Sequence, residues 1–185
     1  MSAMSLTKQG PHTLADDLES FLHVLTWVAL RFTPHELNPA ELTRLMADVF
    51  DTSYTWQGIV WGGDRKREYI CNVGVSRCKL KNQQLLNLLE TLQGVFSYRY
   101  LEYASVRTII TQDVFEALRQ ENLAKLDDHN WMLDTFQAAL NSPGWPEHDG
   151  SSQNPLEKKG GDQQKQKSSK TVAESERPNK KQKTS

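Results

Sequence analysis

Residues 12–30 read HTLADDLESFLHVLTWVAL, and this stretch decides the fold class. Thr13 followed three positions later by Asp16 is a capping-box start for a helix. Asp16, Asp17 and Glu19 then fall where a helix N-terminus favours negative charge. Leu18, Phe21, Leu22, Leu25, Val28 and Phe32 form one broad apolar face, which Val24, Trp27 and Ala29 extend most of the way round. A helix of that kind, from about Leu14 to Phe32, belongs at the centre of a domain, and Pro34 stops it. The most apolar run, Ser20 to Leu30, is eleven residues long and contains His23 and Thr26. Crossing a bilayer takes about 20 apolar residues, so the reading is a buried helix and no membrane span.

The rest of the first 145 residues is also mainly α in its patterning. A second helix opens with Asn38 as its cap, Pro39 in its first turn and Glu41 at the third position. It continues through Leu42, Leu45, Met46, Val49 and Phe50 at helical spacing. Asp51–Asp64 reads as an irregular, aromatic-rich connection with a turn at Gly62-Gly63, after which Asp64 would cap a short helix. Further helices are expected over about Asn82–Ser97, Gln112–Leu126 and from Asp128 to Leu140. A weak strand pattern, SVRTII at 105–110, is the one exception.

Charge and composition divide the chain of 185 residues near residue 145. From Asn141 onward there are nine Lys or Arg against six Asp or Glu, whereas residues 1–140 hold thirteen against seventeen. Leu156 and Val172 are the only large aliphatics of the last 39 residues. That is too little apolar surface to offset chain entropy, so residues 146–185 are expected to be a disordered, low-complexity basic tail. Its end, ERPNKKQKTS, carries Arg177, Lys180, Lys181 and Lys183. Such a run reads either as a nuclear-import signal for an import receptor or as a solvated tail. No aromatics interleave these charges, which argues against nucleic acid as a partner.

Cys71 and Cys78 form no disulfide framework or paired Cys-x-x-Cys metal site, and a reducing intracellular compartment, cytoplasmic or nuclear, follows. The five histidines have no metal-ligand spacing, and His23 reads as a hydrogen-bonded core residue. The Gly62-Gly63-Asp64-Arg65-Lys66 segment lacks the Gly-Lys-Ser/Thr order of a phosphate loop, with Arg67 at the hydroxyl position. A turn feeding a surface helix is the better reading.

The order DDLESFLHVL, the GG-D-x-K turn, the Leu-rich helix and the terminal DHNWMLDTFQAAL resemble the C-terminal part of the fungal-type protein kinase domain. The resemblance covers about residues 1–145 and implies a partial kinase C-lobe built around one buried central helix. Asp17-Leu18-Glu19-Ser20 resembles the signature that opens that helix, with Glu19 where many kinases carry Trp. The resemblance makes Asp17 the carboxylate that anchors the catalytic loop, while on its own terms Asp17 need only complement the helix dipole. Met1-Ser2-Ala3 resembles the end of the activation loop, but Met4 stands where that motif continues to Pro and Glu. The surface after the central helix implies partner docking, with Trp61, Lys66 and Arg67 as the picks.

A phosphotransferase also needs a glycine-rich loop, a strand lysine, a catalytic-loop aspartate and a metal-binding aspartate. The 185 residues contain none of them in order before the central helix. The expectation is a truncated C-lobe that is non-catalytic alone and has no catalytic, cofactor or metal residues of its own. ATP and Mg are expected only for a full-length parent. The alternatives are an interaction module or pseudokinase-like regulator, and a fragment of an active Ser/Thr kinase. Because the central helix is apolar nearly all round, an exposed apolar surface that binds a partner or a second copy is a further expectation.

Overall fold

The computed structural model describes residues 2–3, 11–51, 53–56, 59–147 and 153–157, with the backbone alone over 53–56 and 59–61. It is mainly helical. The elements in chain order are α1 (Leu14–Phe32), α2 (Pro39–Phe50), β1 (Ser53–Trp56), β2 (Ile59–Gly62), α3 (Asp64–Glu68), a π-helical turn (Tyr69–Val73), a 3₁₀ turn (Val75–Cys78), α4 (Gln83–Ser97), α5 (Tyr103–Val106), α6 (Gln112–Lys125) and α7 (His129–Asn141).

The helix starts follow from their caps. Thr13 N–H donates to Asp16 Oδ2 at 3.0 Å before α1. Asn38 and Glu41 exchange reciprocal bonds of 2.9 Å before α2. Asn82 Oδ1 accepts from Leu85 N–H at 3.0 Å before α4, and Asp128 accepts from Asn130 N–H at 2.9 Å before α7. Each bond satisfies a backbone donor that the helix itself leaves orphaned.

The core is built on α4. Its Leu89, Leu92 and Phe96 are fully buried, and the helix packs against α1, α6 and α7. Trp131 of α7 meets Phe96 edge-on at 6.3 Å between ring centroids. On α6, Phe115 is buried between Tyr98 and Tyr103. Full burial of one such Leu or Phe contributes about 1.5–3 kcal/mol, so α4 is the element on which the others condense.

Two expectations about strands change. Ser53–Trp56 and Ile59–Gly62 pair as antiparallel strands, with Ser53 opposite Gly62 and Trp56 opposite Ile59, where the sequence suggests an irregular connection. Ser-Tyr-Thr-Trp and Ile-Val-Trp are β-branched and aromatic runs that suit a pleated surface. The 105–110 segment is no strand: Tyr103–Val106 is a helical turn that continues into a bend. Gly63 follows the hairpin at φ +94°, and a Cβ there would collide with the carbonyl oxygen of Ala3. Only glycine fits both the left-handed backbone and this close approach.

Central helix α1 is rotated from the orientation its hydrophobicity suggests. Its buried side carries Leu18, Leu22, Ala29 and Leu30, but also Asp16, Glu19, His23 and Thr26. Phe21 and Val24 face outward, 65% and 60% exposed. The helix is therefore central on one side and bare on the other.

The expected tail is not detached from its first residue. Most of the 146–185 disorder reading lies outside the described residues, but Gln153–Glu157 is pinned to the C-terminal end of α1. Asn154 Nδ2 donates to the carbonyls of Leu30 and Thr33 at 2.9 Å each. Asn154 N–H donates to Arg31 O at 2.7 Å, and Arg31 Nη1 donates back to Asn154 O at 2.6 Å. One asparagine thus satisfies carbonyls that the end of α1 leaves open. Asn154→Ala removes both side-chain bonds and is expected to lower unfolding stability by about 1–2 kcal/mol, read as a shift in the urea midpoint at constant m-value.

Candidate functional site

Asp16 and Glu19 lie three residues apart on the buried side of α1, one helical turn from each other. Arg99, from the turn after α4, reaches between them. Its Nη2 donates to Asp16 Oδ1 at 2.9 Å, its Nη1 to Glu19 Oε2 at 2.5 Å, and the same Nη1 to Ala15 O at 3.1 Å. Tyr100 OH donates to Glu19 Oε2 at 2.6 Å.

The amino-terminal segment joins from the other side. Ser2 Oγ donates to Asp16 Oδ1 at 2.8 Å, and Ala3 N–H donates to Glu19 Oε1 at 2.6 Å. Thr13 supplies its N–H and hydroxyl to Asp16 Oδ2. All four carboxylate oxygens are thereby occupied by donors from three separate stretches of chain.

Burial alone would raise the pKa of Asp16, but hydrogen bonds from Arg99, Ser2 and Thr13 overcome it and hold the carboxyl well below the usual range. Glu19 follows the same logic: burial opposes ionisation, and the neighbouring His23 ring, Tyr100 OH, Ala3 N–H and the Arg99 charge outweigh it. Two fixed anions with no accepting position left make poor proton-transfer groups, because a general base needs an accessible lone pair and a pKa near the working pH. The cluster is a clamp.

His23, one turn further along α1, is buried with its Nε2 3.4 Å from Glu19 Oε1, and neither ring nitrogen completes a hydrogen bond among the described residues. The expected core position holds and the expected hydrogen bond is not made. Its ring packs edge-on against Phe50 at 6.3 Å. Burial pushes its pKa down and Glu19 partly restores it.

A cleft of about 320 Å³ adjoins the clamp at Tyr100, bordered by Arg67, Glu68, Cys71, Glu102 and Ser105. Burial pushes the Cys71 thiol up, the reverse of what a nucleophilic thiolate needs. Cys78 is driven up to about 11, first by burial. Among the described residues no group of three or more His, Cys, Asp or Glu could hold a metal ion, and no helix is long and apolar enough to cross a membrane.

The residues singled out from sequence fall in different places. Asp17 points to solvent, 69% exposed, with His12 Nδ1 3.5 Å from its carboxylate. The buried anchoring carboxylates are its neighbours, Asp16 and Glu19. Lys66 is partly buried and close enough to Glu19 to feel its charge, although burial lowers its pKa. Arg67 is exposed on the rim of the Tyr100 cleft. Trp61 is in β2 and its side chain lies outside what is described. Arg177, Lys180, Lys181 and Lys183 lie outside the described residues altogether.

No family model, curated protein or solved structure matches this chain. The clamp is therefore interpreted on its own chemistry. Reasoning from sequence missed Arg99 and Tyr100, since nothing local in FSYRYLEY marks them. The polar trio Asp16, Glu19 and His23 along an otherwise apolar helix was the available signal.

Two measurements test the clamp. Arg99→Met leaves two buried anions without their cation and should cost about 3–5 kcal/mol. The pH profile is the second. Asp16 and Glu19 have depressed pKa values in the folded state, so their stabilisation is present above about pH 4, the unfolded carboxylate range, and is lost as pH falls below it. His23 is also depressed, so the unfolded state takes up its proton first, and stability already declines below about pH 6.5. His23→Gln should flatten that upper part of the profile while leaving the steep acid limb in place.

Proposed function

We propose that this stretch of chain is a kinase-C-lobe-like helical body of the fungal type that performs no phosphoryl transfer by itself and acts by presenting surface to a partner. The family part of this reading is supported by the sequence resemblance of residues 12–30 and 128–140. The clamp is compatible with it: α1 is the axis to which the Ser2-Ala3 segment and the Arg99-Tyr100 turn are both fastened. Asp17 stands exposed at the first turn of that axis, where a carboxylate is able to receive backbone N–H groups from another segment or chain.

The observation that carries the interacting role is the bare side of α1. Phe21, Val24 and Val28 recur at i, i+3 and i+7, flanked by Leu14 and Trp27, and all five are exposed. Single exposed apolar residues are ordinary. A row of them along one helix is contiguous by construction, and contiguous apolar surface marks interaction sites. A surface helix normally turns its polar face outward, and α1 does the opposite over this strip.

A nucleotide-dependent thermal shift tests the catalytic part. A ligand at 100 times its Kd stabilises the folded state by about 2.7 kcal/mol, so ATP with Mg should leave the melt of this protein unchanged. A clear stabilisation would overturn the non-catalytic reading. For the interacting part, the Phe21→Ser/Val24→Ser variant should lose dye binding to exposed apolar surface and any concentration-dependent association, measured by ANS fluorescence and sedimentation velocity. Equal behaviour of variant and parent would remove the strip as the interacting surface.

A further inference from the structure

On another side of the molecule a trough runs between α2 and the turns that follow the hairpin. It encloses about 680 Å³. Leu37, Leu45 and Val49 contribute apolar lining from the α2 side, and Tyr69 and Val73 from the π-helical turn. The Tyr69 hydroxyl is already engaged with Cys78 Sγ at 3.1 Å, so it adds no spare polar group.

The charges around the rim do not cancel. Three acids border the trough, and all are engaged. Glu41 accepts from Asn38 N–H, Asp48 faces Arg44 at 3.7 Å, and Glu68 holds Arg65 at 2.9 Å. Four cations border it as well, and Arg44 and Arg65 are the two that those acids occupy. Arg77 and Lys79 are exposed and their side chains make no hydrogen bond or ion pair among the described residues.

These two cations sit on a fixed piece of chain. Val75 and Cys78 of the 3₁₀ turn are buried beneath them. Lys79 adopts φ +50°, a conformation that is uncommon outside glycine and asparagine. The carbonyl of Lys79 accepts from Glu36 N–H at 3.2 Å, and Lys81 N–H donates to Pro34 O at 2.9 Å. The backbone of the segment is thereby tied to the α1–α2 connection, so an anion that meets it has only the two side chains left to order.

We propose that this trough docks an acidic, apolar peptide segment of a partner protein, with aliphatic side chains on the Leu37, Leu45, Val49 and Val73 floor and carboxylates against Arg77 and Lys79. The trough is open along its top, so a compact small molecule would leave much of its surface wet, whereas binding sites for such molecules bury most of the ligand. A peptide lying along the trough buries alternate side chains and keeps its backbone hydrated. The rim carries a net charge of +1, with its two exposed, unpaired cations together on the Arg77–Lys79 turn, and this favours acidic over basic sequence there. The docking requires no kinase ancestry and is separate from the bare strip of α1.

The experiment is fluorescence anisotropy with the full chain and a fluorescein-labelled peptide of sequence Glu-Glu-Leu-Leu-Glu-Leu, beside a control with Lys in place of each Glu. The acidic peptide should bind, and the control should not. Arg77→Glu/Lys79→Glu should weaken binding by about tenfold or more, as should raised salt in smaller degree. Both positions are exposed, so the fold is retained, and circular dichroism checks this. Leu45→Gln should weaken binding from the floor side. No binding of the acidic peptide, equal binding of the basic control, or indifference to the double charge reversal would each overturn the proposal. So would dodecanoate binding where the peptide does not, which makes the trough a small-amphiphile site, and so would self-association abolished by the charge reversal without peptide binding, which makes it a contact between copies.

Discussion

Two carboxylates share one guanidinium in the interior of this protein, and the arrangement of the chain around them follows from the need to satisfy all three. Two anions share one guanidinium at contact distance, with Lys66 offsetting part of the remaining negative charge, among groups that water barely reaches. Removing such charges from water costs several kcal/mol each unless donors replace the lost hydration. Here the replacements come from Ser2, Ala3, Thr13 and Tyr100. The partners of Glu19 come from positions 16 residues before it and 80 and 81 after it. The clamp is thus a register device that holds α1 in one rotation, since turning the helix would expose satisfied anions and bury nothing able to replace their partners.

That rotation explains why hydrophobicity alone phases α1 incorrectly. Leu, Phe, Val, Ala and Trp occupy twelve of the nineteen positions and extend most of the way round the axis, so the apolar pattern alone sets the direction only loosely. The direction is set by the minority: Asp16, Glu19, His23 and Thr26 face inward, and Phe21, Val24 and Val28 are displaced outward. An apolar residue tolerates solvent at a cost of about 1.5–3 kcal/mol, whereas a buried carboxylate stripped of its partners costs more. Polar satisfaction wins over apolar burial.

The helix starts were readable in the sequence because each is decided by residues two or three positions apart. The Asn38–Glu41 exchange and the Asn82 and Asp128 caps are local chemistry, and local chemistry is printed in order. The hairpin at 53–62 was harder, because short aromatic runs fit a loop, a strand or a buried turn equally well. The clamp was only half visible: its acids lie in one short window, but Arg99 and Tyr100 are indistinguishable from surface residues until α4 delivers them. Asp17 illustrates the same limit, since three acids in four positions cannot be sorted into buried and exposed before the helix has a partner.

The contact at Asn154 has a consequence for the order of events during synthesis. Its amide reaches back 124 and 121 residues to Leu30 and Thr33. The central helix is made before the other long helices described, yet the group that closes its far end is translated after all of them. Contacts of such sequence separation come late, because the loop they close must be ordered first. The nascent domain therefore assembles around a rod whose last turn stays open to water, and is sealed only after the last described helix has emerged.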